Sequence, residues 1–201
     1  GFLHMQGAPV DVALGERMMD LLRHRGPDGS GHLVVPGQPP ASVPSLFLGH
    51  RRLKIIDLSE AARQPLSNED GTVSVVFNGE IYNFPALRAD LERRGHQFRS
   101  QSDTETIVHA YEEFGDRCVD HLDGMFAFAL WDGRSRRLLL ARDRTGKKPL
   151  FYAFDGRSLA FASEIKSLLV CPWVKREVAV EQLGDYLLFG YVRAPGTLYQ
   201  G

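Results

Sequence analysis

The sequence predicts an α+β fold of mixed sheets in which two sheets lie in contact and helices flank them. Three observations support this. Stretches with helical apolar spacing recur up to residue 114, β-rich runs are interspersed with them, and from Met125 onward short β-rich runs follow one another directly. Asp-Gly pairs separate neighbouring runs in that last region, as tight hairpin turns require.

Taken in order, Asp11 to Arg23 spaces Val12, Leu14, Met18, Leu21 and Leu22 as one helix face, and Gly26-Pro27 stops it. Pro36 to Pro44 holds four prolines among small and polar residues and reads as a surface loop. Strands are expected over Leu46 to Leu53 and Thr72 to Phe77. Asn83 is placed to cap a helix that opens with Phe84-Pro85 and ends at Gly95. Asp103 to Phe114 forms a second helix, burying Ile107, Ala110, Tyr111 and Phe114, with Gly115 as its stop. Four β runs follow, Phe126 to Trp131, Arg137 to Ala141, Leu150 to Phe154 and Ser158 to Phe161, before a short helix over Ser163 to Leu169 capped by Ser163.

Composition narrows the function. The 201 residues are 43% hydrophobic and 24% charged, enough for a sizeable core without staples. Lys plus Arg, at 24, nearly balance Asp plus Glu, at 25, which argues against a nucleic-acid surface. No apolar run reaches the roughly 18 residues of a membrane helix, and no signal peptide is recognisable, so a cytoplasmic protein without membrane contact is expected. Cys118 and Cys171 match neither a metal knuckle nor a disulfide framework and read as reduced, partly buried thiols. No metal-ligating set is assigned.

Three constellations carry potential chemistry. In Val76 to Asn83 an apolar strand runs into Asn78-Gly79, followed by Glu80. Asn-Gly suits a type I′ turn. It also suits an oxyanion hole, in which the Asn78 amide and the Gly79 N–H meet a developing negative charge. In Gly49 to Asp57, Arg51 and Arg52 are either solvated or one of them grips a carboxylate in bidentate fashion; strand alternation sends them to opposite faces. In Gln101 to Thr106, Ser102 or Asp103 caps the helix, or Asp103 meets an ammonium group. Together these would fit a free amino acid that has a side-chain carbonyl.

Arg23-His24-Arg25-Gly26-Pro27-Asp28, Gly49-His50-Arg51-Arg52-Leu53, Asn78 to Asn83 and Ser102-Asp103-Thr104-Glu105 resemble, in order, the class II glutamine amidotransferase domain of asparagine synthetases. So do Asp123-Gly124-Met125-Phe126-Ala127-Phe128, Ala141-Arg142-Asp143-Arg144, Lys148-Pro149-Leu150 and Ala162-Ser163-Glu164-Ile165-Lys166. Each motif is weak alone; the ordered set is specific. The resemblance implies a four-layer αββα sandwich of the N-terminal-nucleophile hydrolase type. It implies that Arg52 holds the glutamine α-carboxylate with backbone groups of Leu53, Ile55 and Ile56. Glu80 and Asp103 would receive the α-ammonium, and Asn78 with Gly79 would form the oxyanion hole.

The family's nucleophile is an N-terminal cysteine whose own amine is the base, so no histidine is needed for catalysis. Gly1 matches the fifth residue of the family's Cys-Gly-Ile-Xaa-Gly opening, which sets that cysteine four residues upstream. Residues 1–201 alone are therefore expected to bind glutamine without hydrolysing it. Residues 1–172 are read as the glutaminase domain, lacking its first few residues. Residues 173–201, including Tyr186 to Tyr191 and Pro195-Gly196-Thr197, resemble the linker and start of a synthetase domain. The implied partners are glutamine, that C-terminal synthetase domain in cis, and a second copy in a homodimer. No cofactor is expected in this domain; ATP and Mg belong to the synthetase domain. The expected acceptor is aspartate. Another carboxylate acceptor, or a non-catalytic glutamine-binding module, are the alternatives.

Overall fold

The computed structural model describes residues 1–37, 43–55 and 57–200. Two antiparallel sheets form its centre. The first contains β1 (Phe2–His4), β2 (Gly29–Val35), β3 (Ser45–Arg52), β8 (Phe151–Phe154) and β9 (Ser158–Ala162), in the order β2-β3-β1-β9-β8. The second contains β4 (Leu66–Ser67), β5 (Val73–Ile81), β6 (Gly124–Asp132) and β7 (Arg137–Arg142) in sequence order.

Side-chain alternation builds the layers. On β3, Phe47 joins a core with Leu14, Met18 and Met19 of helix α1 (Val12–Asp20) and Leu168 of helix α4 (Ile165–Leu168). Its neighbours Leu46 and Leu48 face the other way, into a core shared with Val76 of β5 and Ala129 and Trp131 of β6. On β5, Val73, Val75 and Phe77 turn outward against Ile107, Val108 and Tyr111 of helix α3 (Asp103–Phe114) and Leu87 and Leu91 of helix α2 (Phe84–Arg93). Helices, sheet, sheet and helices thus stack as αββα. Strands buried on both faces read as continuous apolar runs, which explains why β5 and β6 are the plainest strands in the sequence.

Several details differ from the sequence expectation. β1 and β2 were not expected: β1 has only three residues, and β2 opens with Gly29-Ser30-Gly31 and is half polar. The first helix ends at Asp20, and Arg23–Arg25 form a separate 3₁₀ turn. β5 continues past Phe77 to Ile81, so Asn78-Gly79 lies inside a paired strand and not in a hairpin turn. Glycine is required there by proximity: a Cβ on Gly79 would sit 2.2 Å from the Met125 carbonyl oxygen. Asn83 precedes α2 without capping it, because its side chain instead donates to the His121 carbonyl (2.9 Å) and accepts from the Asp123 N–H (3.0 Å). Glu164 occupies the cap position of α4 in place of Ser163 and makes no side-chain cap bond. Of the proline-containing stretch Pro36 to Pro44, residues 38–42 lie outside the described residues.

The segment after Trp173 folds back on itself through the Ala179 N–H to Leu198 carbonyl and Gln200 N–H to Glu177 carbonyl bonds, each 3.0 Å. It carries helix α5 (Leu183–Phe189), whose Leu187 and Leu188 are exposed. Cys118 and Cys171 are both buried free thiols. Among the described residues, no helix is long and apolar enough to cross a membrane.

Candidate active site

Alternation also aims the polar residues. On β3 the face that carries Leu46 and Leu48 into the inter-sheet core carries His50 and Arg52 next, at the strand's end. On β5 the face that carries Val76 carries Asn78 and Glu80. Where apolar packing between the sheets gives way to these side chains, a cavity of about 400 Å³ opens, lined by His50, Arg52, Leu53, Ile55, Asn78, Gly79 and Asp103 among others. Arg51, on the opposite face, donates instead to the Gly26 carbonyl (3.2 Å).

Arg52 is only 7% exposed, and its Nη2 donates to the Asp57 carbonyl at 2.6 Å. That bond ties the end of β3 to the loop that holds Asp57. The loop is pinned again where the Lys54 N–H donates to Asp28 (2.9 Å) and the Gln101 N–H donates to Asp57 (2.9 Å). Leu53 and Ile55 line the cavity although both are largely exposed. Ile56, assigned to the same wall from sequence, lies outside the described residues.

Asp103 enters from the start of α3. Ser102 is the true N-cap, its Oγ accepting from the Thr104 N–H (3.2 Å), which leaves the Asp103 carboxylate free to accept from the Ile81 N–H (3.0 Å). Burial raises the Asp103 pKa above its usual value against these hydrogen bonds, and the nearby charge of Glu80 pushes the same way. Glu80 lies close enough to be felt by Asp103, although it is off the wall of the main cavity.

The Asn78 amide nitrogen Nδ2 is buried and without a hydrogen-bond partner. An orphaned buried donor is costly, on the order of 1–3 kcal/mol, and is retained where it has work to do. Beside it, a narrower recess of about 80 Å³ is bounded by Gly1, Gly49, His50, Asn78 and Ser163.

Two lining residues carried no functional assignment from sequence. His50, on β3, reaches across to the Phe77 carbonyl through Nε2 (3.1 Å), while its Nδ1 is buried and unpartnered. Gln64, from the loop before β4, accepts from the Phe77 N–H (2.6 Å) and donates to Thr104 (3.3 Å), joining β5 to α3. Gln64 sits in no motif, so only the fold reveals it. His50 sat within a quoted motif, but nothing in the spacing distinguished a sheet-to-sheet tie from a surface histidine.

Known proteins resemble this chain in sequence and in fold. The family model for a glutamine amidotransferase domain matches residues 3–201. Asparagine synthetase [glutamine-hydrolyzing] 3 of Bacillus subtilis is 44% identical over 90% of this chain, and asparagine synthetase [glutamine-hydrolyzing] 3 of Arabidopsis thaliana is 49% identical over 73% of it. The chain spans only 28% and 24% of those relatives. Among solved structures, glutamine phosphoribosylpyrophosphate amidotransferase from Bacillus subtilis, complexed with ADP and GMP, matches 84% of this chain and 43% of its own. Its TM-score is 0.66 at 22% identity, a likeness of fold.

Proposed function

Since the chain belongs to the glutamine amidotransferase domain family, we propose that its cavity binds L-glutamine and positions the side-chain amide for hydrolysis to glutamate and ammonia. The observation that carries this reading is the convergence of a buried guanidinium, a buried carboxylate and an unpartnered buried amide donor on one cavity. Arg52 would pair with the α-carboxylate, Asp103 with support from Glu80 would take the α-ammonium, and Leu53 and Ile55 would add main-chain contacts. Asn78 Nδ2 and the Gly79 N–H would meet the oxygen that becomes negative in the tetrahedral intermediate, each donor worth about 3–4 kcal/mol in comparable enzymes.

Neither cysteine within residues 1–201 suits the role of nucleophile. Burial pushes the Cys118 thiol up to about 12 and the Cys171 thiol up to about 11, so both stay protonated at neutral pH. We assign the nucleophile to a cysteine four residues ahead of Gly1. β1 pairs Phe2 with Phe47 and Leu3 with Leu46. Were the same register to continue backward, a residue four positions before Gly1 would fall opposite Arg52, which lines the cavity. The thiol would attack the amide carbon, its own α-amine taking the proton, and ammonia would leave as a thioester forms. Water would then release glutamate.

The ammonia would serve a C-terminal synthetase domain that uses ATP and Mg to amidate aspartate in the cytoplasm, in keeping with relatives several times longer than this chain. Residues 173–201 would form the passage into that domain. The test is calorimetric titration of L-glutamine into residues 1–201, alongside a glutaminase assay on protein carrying the preceding cysteine. Binding by the first and turnover by the second are expected. Absence of both would overturn the proposal.

A further inference from the structure

Two turns along α3 from Asp103, a second cluster lies away from the glutamine cavity. His109 and Glu112 are three residues apart and share a helix face. His96, from the loop that leaves α2 after Gly95, folds over them; its ring centroid is 5.0 Å from that of His109. One ligand atom from each of the three residues lies within 4.8 Å of the others. Glu112 Oε2 is 2.9 Å from His109 Nδ1 and 3.7 Å from His96 Nδ1. A tetrahedral ion with bonds of about 2.0–2.1 Å needs ligand–ligand edges of about 3.3 Å, between those two distances.

The surroundings fit such an ion. Asn68 Nδ2 donates to the other Glu112 oxygen at 2.7 Å, which turns Oε2 toward the imidazoles. His109 is buried, and its Nε2 has no hydrogen-bond partner. Glu105 Oε1 lies 3.8 Å from it, on a carboxylate held by the Arg99 N–H, the Ser100 N–H and the Ser100 hydroxyl. An imidazole that coordinates through Nδ1 keeps its proton on Nε2, facing this carboxylate, which is how metal-bound histidines are commonly oriented. Charge points the same way. Glu105, Glu112 and Glu113 surround the two imidazoles, with Glu113 Oε2 3.4 Å from His96 Nε2. Among the described residues the guanidinium contacts to these three carboxylates are Arg94, 2.8 Å from Glu113, and Arg99, more distant at 4.0 Å from Glu105.

We propose that His96, His109 and Glu112 bind one divalent ion of the zinc class. Two imidazoles and one carboxylate suit a borderline ion better than calcium or magnesium, which prefer oxygen shells. The fourth position faces solvent, since the His96 and Glu112 side chains are 17% and 16% exposed. The ion ties the exit loop of α2 to α3, the helix whose first residue is Asp103.

The test uses metal-stripped protein titrated calorimetrically with Zn²⁺ alone near neutral pH, and with Co²⁺ to read tetrahedral coordination from its visible absorption. One Zn²⁺ per chain with a Kd of about 10 µM or tighter is expected, together with a rise in Tm. His96→Ala lies outside any helix, and Glu112→Gln keeps the side-chain shape; each should weaken binding at least about tenfold while circular dichroism stays unchanged. Failure to saturate below about 100 µM would overturn the proposal. So would equal affinity in wild type and both variants, which would place the ion on other histidines. A cluster that takes up only protons would show imidazole titration by NMR and no response to Zn²⁺, and would equally overturn it.

Discussion

His50 Nε2 lies 3.1 Å from the Phe77 carbonyl oxygen, so one imidazole on β3 ties the first sheet to the second at the peptide that leads into Asn78. Burial, with Arg52 nearby, lowers the His50 pKa to about 4 despite the opposing pull of the Phe77 carbonyl. The ring is therefore neutral in the folded protein, Nε2–H donating. The unfolded chain takes up its proton near 6.5 and the folded chain only near 4. Stability should therefore fall as pH drops through that window. His50→Gln keeps a donor without the titration and should flatten the decline, as read by urea midpoints between pH 4 and 7.

Arg52 pairs geometry with charge, so replacing it by lysine is not conservative. Arg52→Ala and Arg52→Lys should each weaken L-glutamine binding roughly 10- to 100-fold, equivalent to losing about 1.5–3 kcal/mol of charge-assisted hydrogen bonding. Calorimetry of the two variants checks this. Unchanged affinity in both would remove Arg52 from the site.

Asn78 and Gly79 separate function from folding. In protein that carries the nucleophile, Asn78→Ala should lower kcat about 10²–10³-fold with little change in KM, since its donor would act on the transition state. Gly79→Ala should disturb the fold itself, because its Cβ would meet the Met125 carbonyl oxygen at 2.2 Å, a main-chain atom that cannot swing away. A thermal melt distinguishes the two.

Asp103 should show a trade between stability and binding. Its raised pKa means that ionisation is disfavoured by folding, so the folded state loses stability as pH rises from 3.8 through the folded pKa. Asp103→Asn escapes that loss while retaining an oxygen for the Ile81 N–H. The variant should equal or exceed wild-type stability at pH 7, yet bind glutamine at least about tenfold more weakly for want of a charge opposite the α-ammonium. A variant that binds as well as wild type would show that Asp103 does not take the ammonium.

The parts legible in the sequence share a physical basis. Helices α1 and α3 declare themselves by apolar spacing, and β5, β6 and the two later hairpins by unbroken apolar runs and Asp-Gly turns. Arg52, Asn78, Gly79 and Asp103 stand out in the sequence because each falls in an ordered motif. β1 escaped notice because three residues carry no period, although it lies at the middle of its sheet. From those two residues alone a hairpin turn is the favoured reading of Asn78-Gly79, and the pairing of Gly79 with Phe126 in an extended strand overturns it.

By itself the sequence determined the kind of residue available, the approximate element around it, and the αββα class through an ordered set of motifs. Tertiary structure alone decided which of those residues meet. His50, Gln64 and Asp103 converge on Phe77 and Ile81 from three separate elements, and His96 reaches His109 across a loop. Such juxtapositions depend on strand register and on how the helices seat on their sheets. Those are set by burial across the whole core, and local spacing along the chain does not record them.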